Sequence, residues 1–166
     1  MTAFDEFVVA RLPALLRCAT AIVGDPELAK DIVQDVLVRA HRRWRRIEDM
    51  EQPERYLQRM ILSDYLSWRR KVTRRARLAA RFPARPPVTE DHAHAYAERS
   101  GLWPRLLALP ARQRAVLVLG YYEDLPDIEI AEVLGCSPGS VRVYRARALA
   151  ALRLELSTVG SGEERK

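Results

Sequence analysis

Apolar residues recur at three- and four-residue spacing from Phe4 to Leu152, and nowhere for longer than a turn do they alternate as a strand would. That pattern predicts an all-α fold. A first helix is expected over residues 3–23, with Phe4, Phe7, Val8, Leu12, Leu15, Leu16, Ala19 and Val23 on its apolar side. Pro13 interrupts it as a kink or a restart, because proline has no N–H to give the preceding turn. Gly24 stops this helix, and Asp25-Pro26 opens the next, with Asp as N-cap and Pro at the first helical position. Leu28, Ala29, Ile32, Val33, Val36, Leu37, Ala40 and Trp44 carry the second helix to about residue 44. Residues 45–52 read as a loop. Pro53 then starts a third helix, whose far end is the solvated basic stretch RRKVTRRARLAAR.

Composition changes after that stretch. Residues 81–100 contain Pro83, Pro86 and Pro87, then Glu90, Asp91, His92 and His94, and read as a flexible linker. Helical spacing resumes with Leu102, Leu106, Leu107 and Leu109, and continues past Pro110 through Val116, Leu117, Leu119 and Tyr121. A short helix is expected over 127–134, Gly135 ends it, and Ser137 caps a last helix running to about residue 156. The expected architecture is two small helical domains, 1–80 and 101–158, joined by the linker and followed by a disordered tail, 159–166.

Residues 127–152 have the form of a helix-turn-helix: a short helix, a tight Gly135-Cys136-Ser137 turn and a longer second helix. Ile128, Ile130, Ala131, Val133 and Leu134 supply the packing side of the first helix. Val141, Ala148, Leu149 and Leu152 face inward from the second. Ser140, Arg142, Tyr144, Arg145 and Arg147 are left on or near the outer surface. Three arginines in six positions suit phosphate contact and guanine readout, and Ser137 and Ser140 at the helix N-terminus can also hold phosphate. An ordinary helical hairpin with a charged face would show the arginines alone. The joint presence of a small crossing residue, a glycine turn and an N-cap favours duplex DNA binding.

The charge agrees: 28 Lys and Arg against 22 Asp and Glu leave a formal net charge of +6. Of the basic residues, 25 are arginines; they suit phosphate and guanine contacts, but codon bias in a GC-rich genome explains most of the excess. Cys18 and Cys136 are far apart with no CxxC or histidine pattern, so reduced thiols in a cytoplasmic protein are expected. No apolar run approaches the ~20 residues of a membrane span. The sequence offers no nucleophile–base pair, Gly-rich phosphate loop or metal-ligand spacing. No enzyme activity, cofactor, metal or small-molecule substrate is therefore expected. His92 and His94 read as solvated side chains.

With these residues in hand, a family resemblance emerges. LLALPARQRAVLVLGYYEDLPDIEIAEVLGCSPGSVRVYRARALAALR resembles region 4 of the extracytoplasmic-function group of sigma-70 RNA polymerase sigma factors. PELAKDIVQDVLVRAHRRWRRI and PERYLQRMILSDYLSWRRK are similar to their region 2, and the LSWRR run suggests a sigma-E-like actinobacterial subgroup. The resemblance covers most of residues 3–156. It implies a sigma factor whose partners are core RNA polymerase (β′ and β subunits) and promoter DNA, with an anti-sigma protein as the regulator of many members. It implies that Asp31, Gln34 and Asp35 dock on polymerase; the three also form one helical stripe, which alone would read as a solvated face. It further implies capture of the melted −10 element by residues 48–52 and by Arg55, Arg59, Ser63, Trp68, Arg69 and Arg70. Aromatic faces stack on unpaired bases and arginines track the backbone; Trp68 reads equally as core packing at a helix end. Duplex reading at −35 is implied for Ser137, Ser140, Arg142, Tyr144, Arg145 and Arg147.

Two positions depart from the family pattern. Ser63 stands where Asn is frequent. Pro126 stands where Ser or Thr often caps the helix-turn-helix, leaving Asp127 to take over part of the capping. The alternative to a sigma factor is a helix-turn-helix regulator that binds duplex operators without joining polymerase. The N-terminal half discriminates, because such a regulator has no use for the Asp31/Asp35 stripe or the WRRK end.

Overall fold

The computed structural model describes residues 1–80 and 101–160, with side chains through Arg153. The chain divides into two compact units, Met1–Ala93 and His94–Lys166. The expected linker, 81–100, and residues 161–166 of the expected tail lie outside the described residues, as do His92 and His94. All regular structure among the described residues is helical.

Unit 1 packs three long helices around one core: α1 (Ala3–Val23), α2 (Pro26–His41) and α4 (Pro53–Ala79), with the single turn α3 (Trp44–Glu48) between the last two. Helix α1 begins in a capping box. The Asp5 backbone N–H donates to Thr2 Oγ1, and the Thr2 N–H donates to Asp5 Oδ2 at 2.8 Å. That backbone donation holds the Asp5 carboxyl below its ordinary range, aided by the Thr2 hydroxyl. Pro13 neither ends nor restarts the helix, which runs unbroken to Val23. Pro13 is on the exposed side, so water can hydrate the carbonyl that its missing N–H leaves behind. Gly24 closes α1 at φ 83°, donating its N–H to Thr20 O, and Asp25 Oδ1 caps α2 by accepting from the Glu27 and Leu28 N–H groups.

The second helix stops at His41 rather than near residue 44, and α3 occupies half of the expected loop 45–52. The reason is aromatic. Trp44 sits edge-on to Phe4 and tilted against Phe7, with ring centroids 5.2 and 4.8 Å apart, and Phe4 also meets His41 at 4.9 Å. Seating the indole there bends the chain out of α2 and buries Ile47 in a new turn. Leu15, Ile47, Leu57 and Leu62 are fully buried, each worth roughly 1.5–3 kcal/mol of transfer free energy. Ion pairs Arg11–Glu54 and Arg39–Asp64 tie α4 to α1 and α2 at the surface.

Unit 2 is built on α8 (Pro138–Gly160), against which α5 (Leu102–Ala108), α6 (Ala111–Leu117) and α7 (Asp127–Leu134) pack. Leu109, Leu117, Ala148 and Leu152 form one core cluster. Arg114 is buried but satisfied, donating to the carbonyls of Leu107 (2.9 Å) and Leu109 (3.2 Å) at the end of α5. After α6 the backbone widens into a π-helical turn, Val118–Tyr122, closed by Glu123 N–H to Val118 O. A π turn inserts one residue and so rotates the next side chains around the helix axis. Tyr121, read from spacing as apolar-face packing, is therefore 68% exposed. Helix α8 runs to Gly160, past the expected end near 156 and into the start of the expected tail.

Candidate nucleic-acid interface

The helix-turn-helix forms at the predicted place. Ile130, Ala131, Val133 and Leu134 of α7 are buried, as are Val141 and Ala148 of α8, and the two helices pack together. Ile128 is not part of that packing; it precedes Ile130 by two positions, about 200° around the helix, and is exposed. Gly135 makes the turn at φ 63°, a left-handed conformation that costs an L side chain about 1–2 kcal/mol, and Cys136 N–H continues to Ala131 O. Ser137 Oγ caps α8 by accepting from Ser140 N–H at 3.1 Å, and the two hydroxyls are 3.0 Å apart. Two hydroxyl-bearing positions thus stand at the positive end of the longest helix of this unit.

The outer face of α8 carries Val143 and Arg147, with Arg142 and Tyr144 on its flanks. Arg142, Val143 and Arg147 are exposed; Ser140 and Tyr144 are half-buried. Val143, 47% exposed, went unremarked in the sequence, although its position opposite the buried stripe was readable from spacing. An apolar side chain there is suited to a thymine methyl group. Arg145 is placed differently from expectation. It comes four positions after Val141 and three before Ala148, so it belongs to the inward stripe. Its Nη1 lies 2.5 Å from Asp127 Oδ1, and its guanidinium covers Gly120 of the π turn. Asp127 makes no side-chain cap at α7, which corrects the capping role expected of it.

In unit 1, α4 presents Arg55, Arg59, Ser63 and Arg70 along one side at spacings of four, four and seven, with Arg69 beside them. Arg59, Ser63 and Arg70 are exposed, while Arg55 and Arg69 are half-buried. Trp68 is on the other side. It stacks at 6.2 Å and 17° on Tyr65, whose hydroxyl is anchored to Val23 O, and remains 41% exposed. Trp68 is thus a core edge and an available ring at once. From residue 71 to 80 every side chain is exposed, among them Lys71, Arg74, Arg75 and Arg77.

Asp31, Gln34 and Asp35 are all exposed on α2. Asp31 and Gln34 border a groove of about 520 Å³ between α1 and α2, floored by Phe4, Val8, Leu12 and Leu37 and flanked by the exposed Val38. Lys30, His41 and Arg42 share the rim with Asp31, so a charged rim of both signs surrounds an apolar floor. Such a surface suits a protein helix, with charge to set register and apolar area to hold it. Among the described residues, no group of three side chains is arranged to hold a metal ion, and no helix is long and apolar enough to cross a membrane.

The comparisons with known proteins match both halves. Residues 7–75 match the family model for sigma-70 region 2, and residues 103–152 that for sigma-70 region 4. The chain is 37% identical over 153 residues to an RNA polymerase sigma-E factor of Streptomyces coelicolor, covering 92% of this chain and 85% of that one. It is 31% identical over 149 residues to the ECF RNA polymerase sigma factor SigL of Mycobacterium tuberculosis, covering 88% and 84%. In fold it is similar to the sigma factor RpoE of Bartonella quintana, solved in complex with the anti-sigma factor NepR. The TM-score is 0.75 over 95% of this chain and 98% of that one, at 22% identity. The region 2 match over residues 7–75 weighs against the alternative of an operator-binding regulator. The chain belongs to the sigma-70 family as an RNA polymerase sigma factor of the two-region, extracytoplasmic-function type.

Proposed function

We propose that this sigma factor grips its promoter at two points and core polymerase at a third, with the work divided between its two units. In this reading residues 101–158 read the −35 duplex, with Arg142, Tyr144 and Arg147 of α8 in the major groove and Ser137 and Ser140 on phosphate. Residues 1–80 open and hold the −10 element through residues 48–52 and the Arg55, Arg59, Ser63, Arg69 and Arg70 side of α4. Trp68 offers its ring to an unpaired base. Asp31, Gln34 and Asp35 bind polymerase, the first two from the rim of the α1/α2 groove. The observation that carries this reading is the joint presence of an outward basic recognition helix in one unit and, in the other, an exposed Asp31/Gln34/Asp35 stripe beside an apolar groove.

The physics of the division is simple. Duplex reading needs a rigid helix end presenting bidentate donors, which the Ser137 cap and the Gly135 turn supply. Holding a separated strand needs cationic length and a ring on which to stack, which α4 supplies. An anti-sigma protein would act on this chain by covering the groove rim or the α8 face. Run-off transcription with core polymerase over a genomic promoter library tests the reading. Initiation should require this protein and should cluster on templates sharing a −35 and a −10 element. Transcripts that ignore the −35 sequence would sink the role given to α8.

A further inference from the structure

Three arginines in the first half of α8 differ in what they touch. Arg142 and Arg147 are exposed, while Arg145, about 60° round the helix from Arg142 and on the far side from Arg147, is held against Asp127 of α7. We propose that Asp127 is a restraining residue: its carboxylate occupies the Arg145 guanidinium internally and keeps that charge off DNA phosphate. The pair thereby limits sequence-independent binding by the recognition helix. The inference rests on the reading of α8 as the DNA-facing helix.

Several observations converge on it. An arginine stays charged at any working pH, so its charge must be answered by something. Carboxylate and phosphate compete for the same forked donors. Asp127 is committed to this task, because it makes no cap at the helix it begins. The π turn provides the room. A Cβ at Gly120 would stand 3.2 Å from Arg145 Nη2, so a side chain there would crowd the guanidinium that glycine admits. The pair is not sealed in, however. The Arg145 and Asp127 side chains are 25% and 26% exposed, so an arginine released from its partner can swing toward solvent and any polyanion there.

The test is the salt dependence of binding, measured with the full chain assembled on core polymerase. The probes are a promoter duplex and the same duplex with its −35 element scrambled. Each phosphate contact contributes about 0.9 to the slope of log K against log salt. Asp127→Asn should steepen the slope by about that amount and reduce the preference for the true −35 element. Arg145→Gln should leave the slope unchanged, and adding Asp127→Asn to it should then do nothing. If Arg145→Gln loosens the fold, as thermal unfolding would show, Arg145→Met keeps the packing of the stem and replaces it in the cycle.

A slope flattened by removal of Arg145 overturns the proposal, since the arginine would already be on phosphate. Equal effects of Asp127→Asn with and without Arg145 overturn it too, because the carboxylate would then act on DNA directly. So does an Asp127→Asn variant identical to the parent. Arg142→Ala and Arg147→Ala are the controls for the underlying reading. If neither changes slope or preference, the DNA-facing role of α8 fails first. If they do and the Asp127 cycle does not behave as stated, only the restraint fails.

Discussion

At the scale of single residues, two kinds of information were present in the chain and only one was easy to read. Backbone punctuation was plain: Gly135 had to be the turn, Ser137 the cap and Asp25-Pro26 a helix start, and each makes the bonds expected of it. A Cβ at Gly135 meets nothing within 4 Å, so Gly135→Ala tests backbone strain alone. It should cost about 1–2 kcal/mol, and Gly135→Asn less, measured by urea unfolding. Partner choice was harder. Arg145 shares residue type and neighbourhood with Arg142 and Arg147, and composition pools all three. Its register with Val141 and Ala148 already marked it as inward, but an arginine on an inward stripe reads as misplaced until the carboxylate that neutralises it is known. That carboxylate comes from another helix, so nothing local announces it.

At the scale of elements, periodicity located the helices well and failed where a tertiary contact overrode it. The break between α2 and α3 comes from the seat of Trp44 between Phe4 and Phe7, more than thirty-five residues earlier in the chain. The π turn after α6 was equally hidden, because a run of apolar residues reads as α-helix whether or not one residue is inserted. Pro13 shows the reverse case: a strong local breaker that the surrounding helix accommodates because its side faces water. Pro13→Ala should restore a hydrogen bond in α1 and stabilise unit 1 by about 1–3 kcal/mol, seen as a higher urea midpoint with an unchanged slope. On α8, Arg142→Ala or Arg147→Ala should lose roughly 1–3 kcal/mol of discrimination at one −35 position if the side chain reads a base. Equal weakening on all sequences, with a salt slope shallower by about 0.9, would make that side chain a phosphate contact.

At the scale of the whole molecule, function depends on surfaces that no single motif contains. The polymerase-docking reading joins an acidic stripe on α2 to an apolar groove that exists only because α1 packs beside it. Asp35→Arg should abolish co-elution with core polymerase in gel filtration while leaving helicity and melting unchanged, because Asp35 is exposed and its side chain makes no bond that holds the core. Unaltered co-elution would remove this residue from the interface. By itself the sequence determined the all-α class, most helix starts and stops, the helix-turn-helix and the family, because these depend on residue order and on spacings of a few positions. Tertiary structure alone decided that Asp127 holds Arg145, where α2 ends, that Trp68 both packs and remains exposed, and that the Asp31 stripe borders a groove. Each of those depends on a contact between residues distant in the chain. Local periodicity records that a side chain is apolar or charged, and packing determines what it meets.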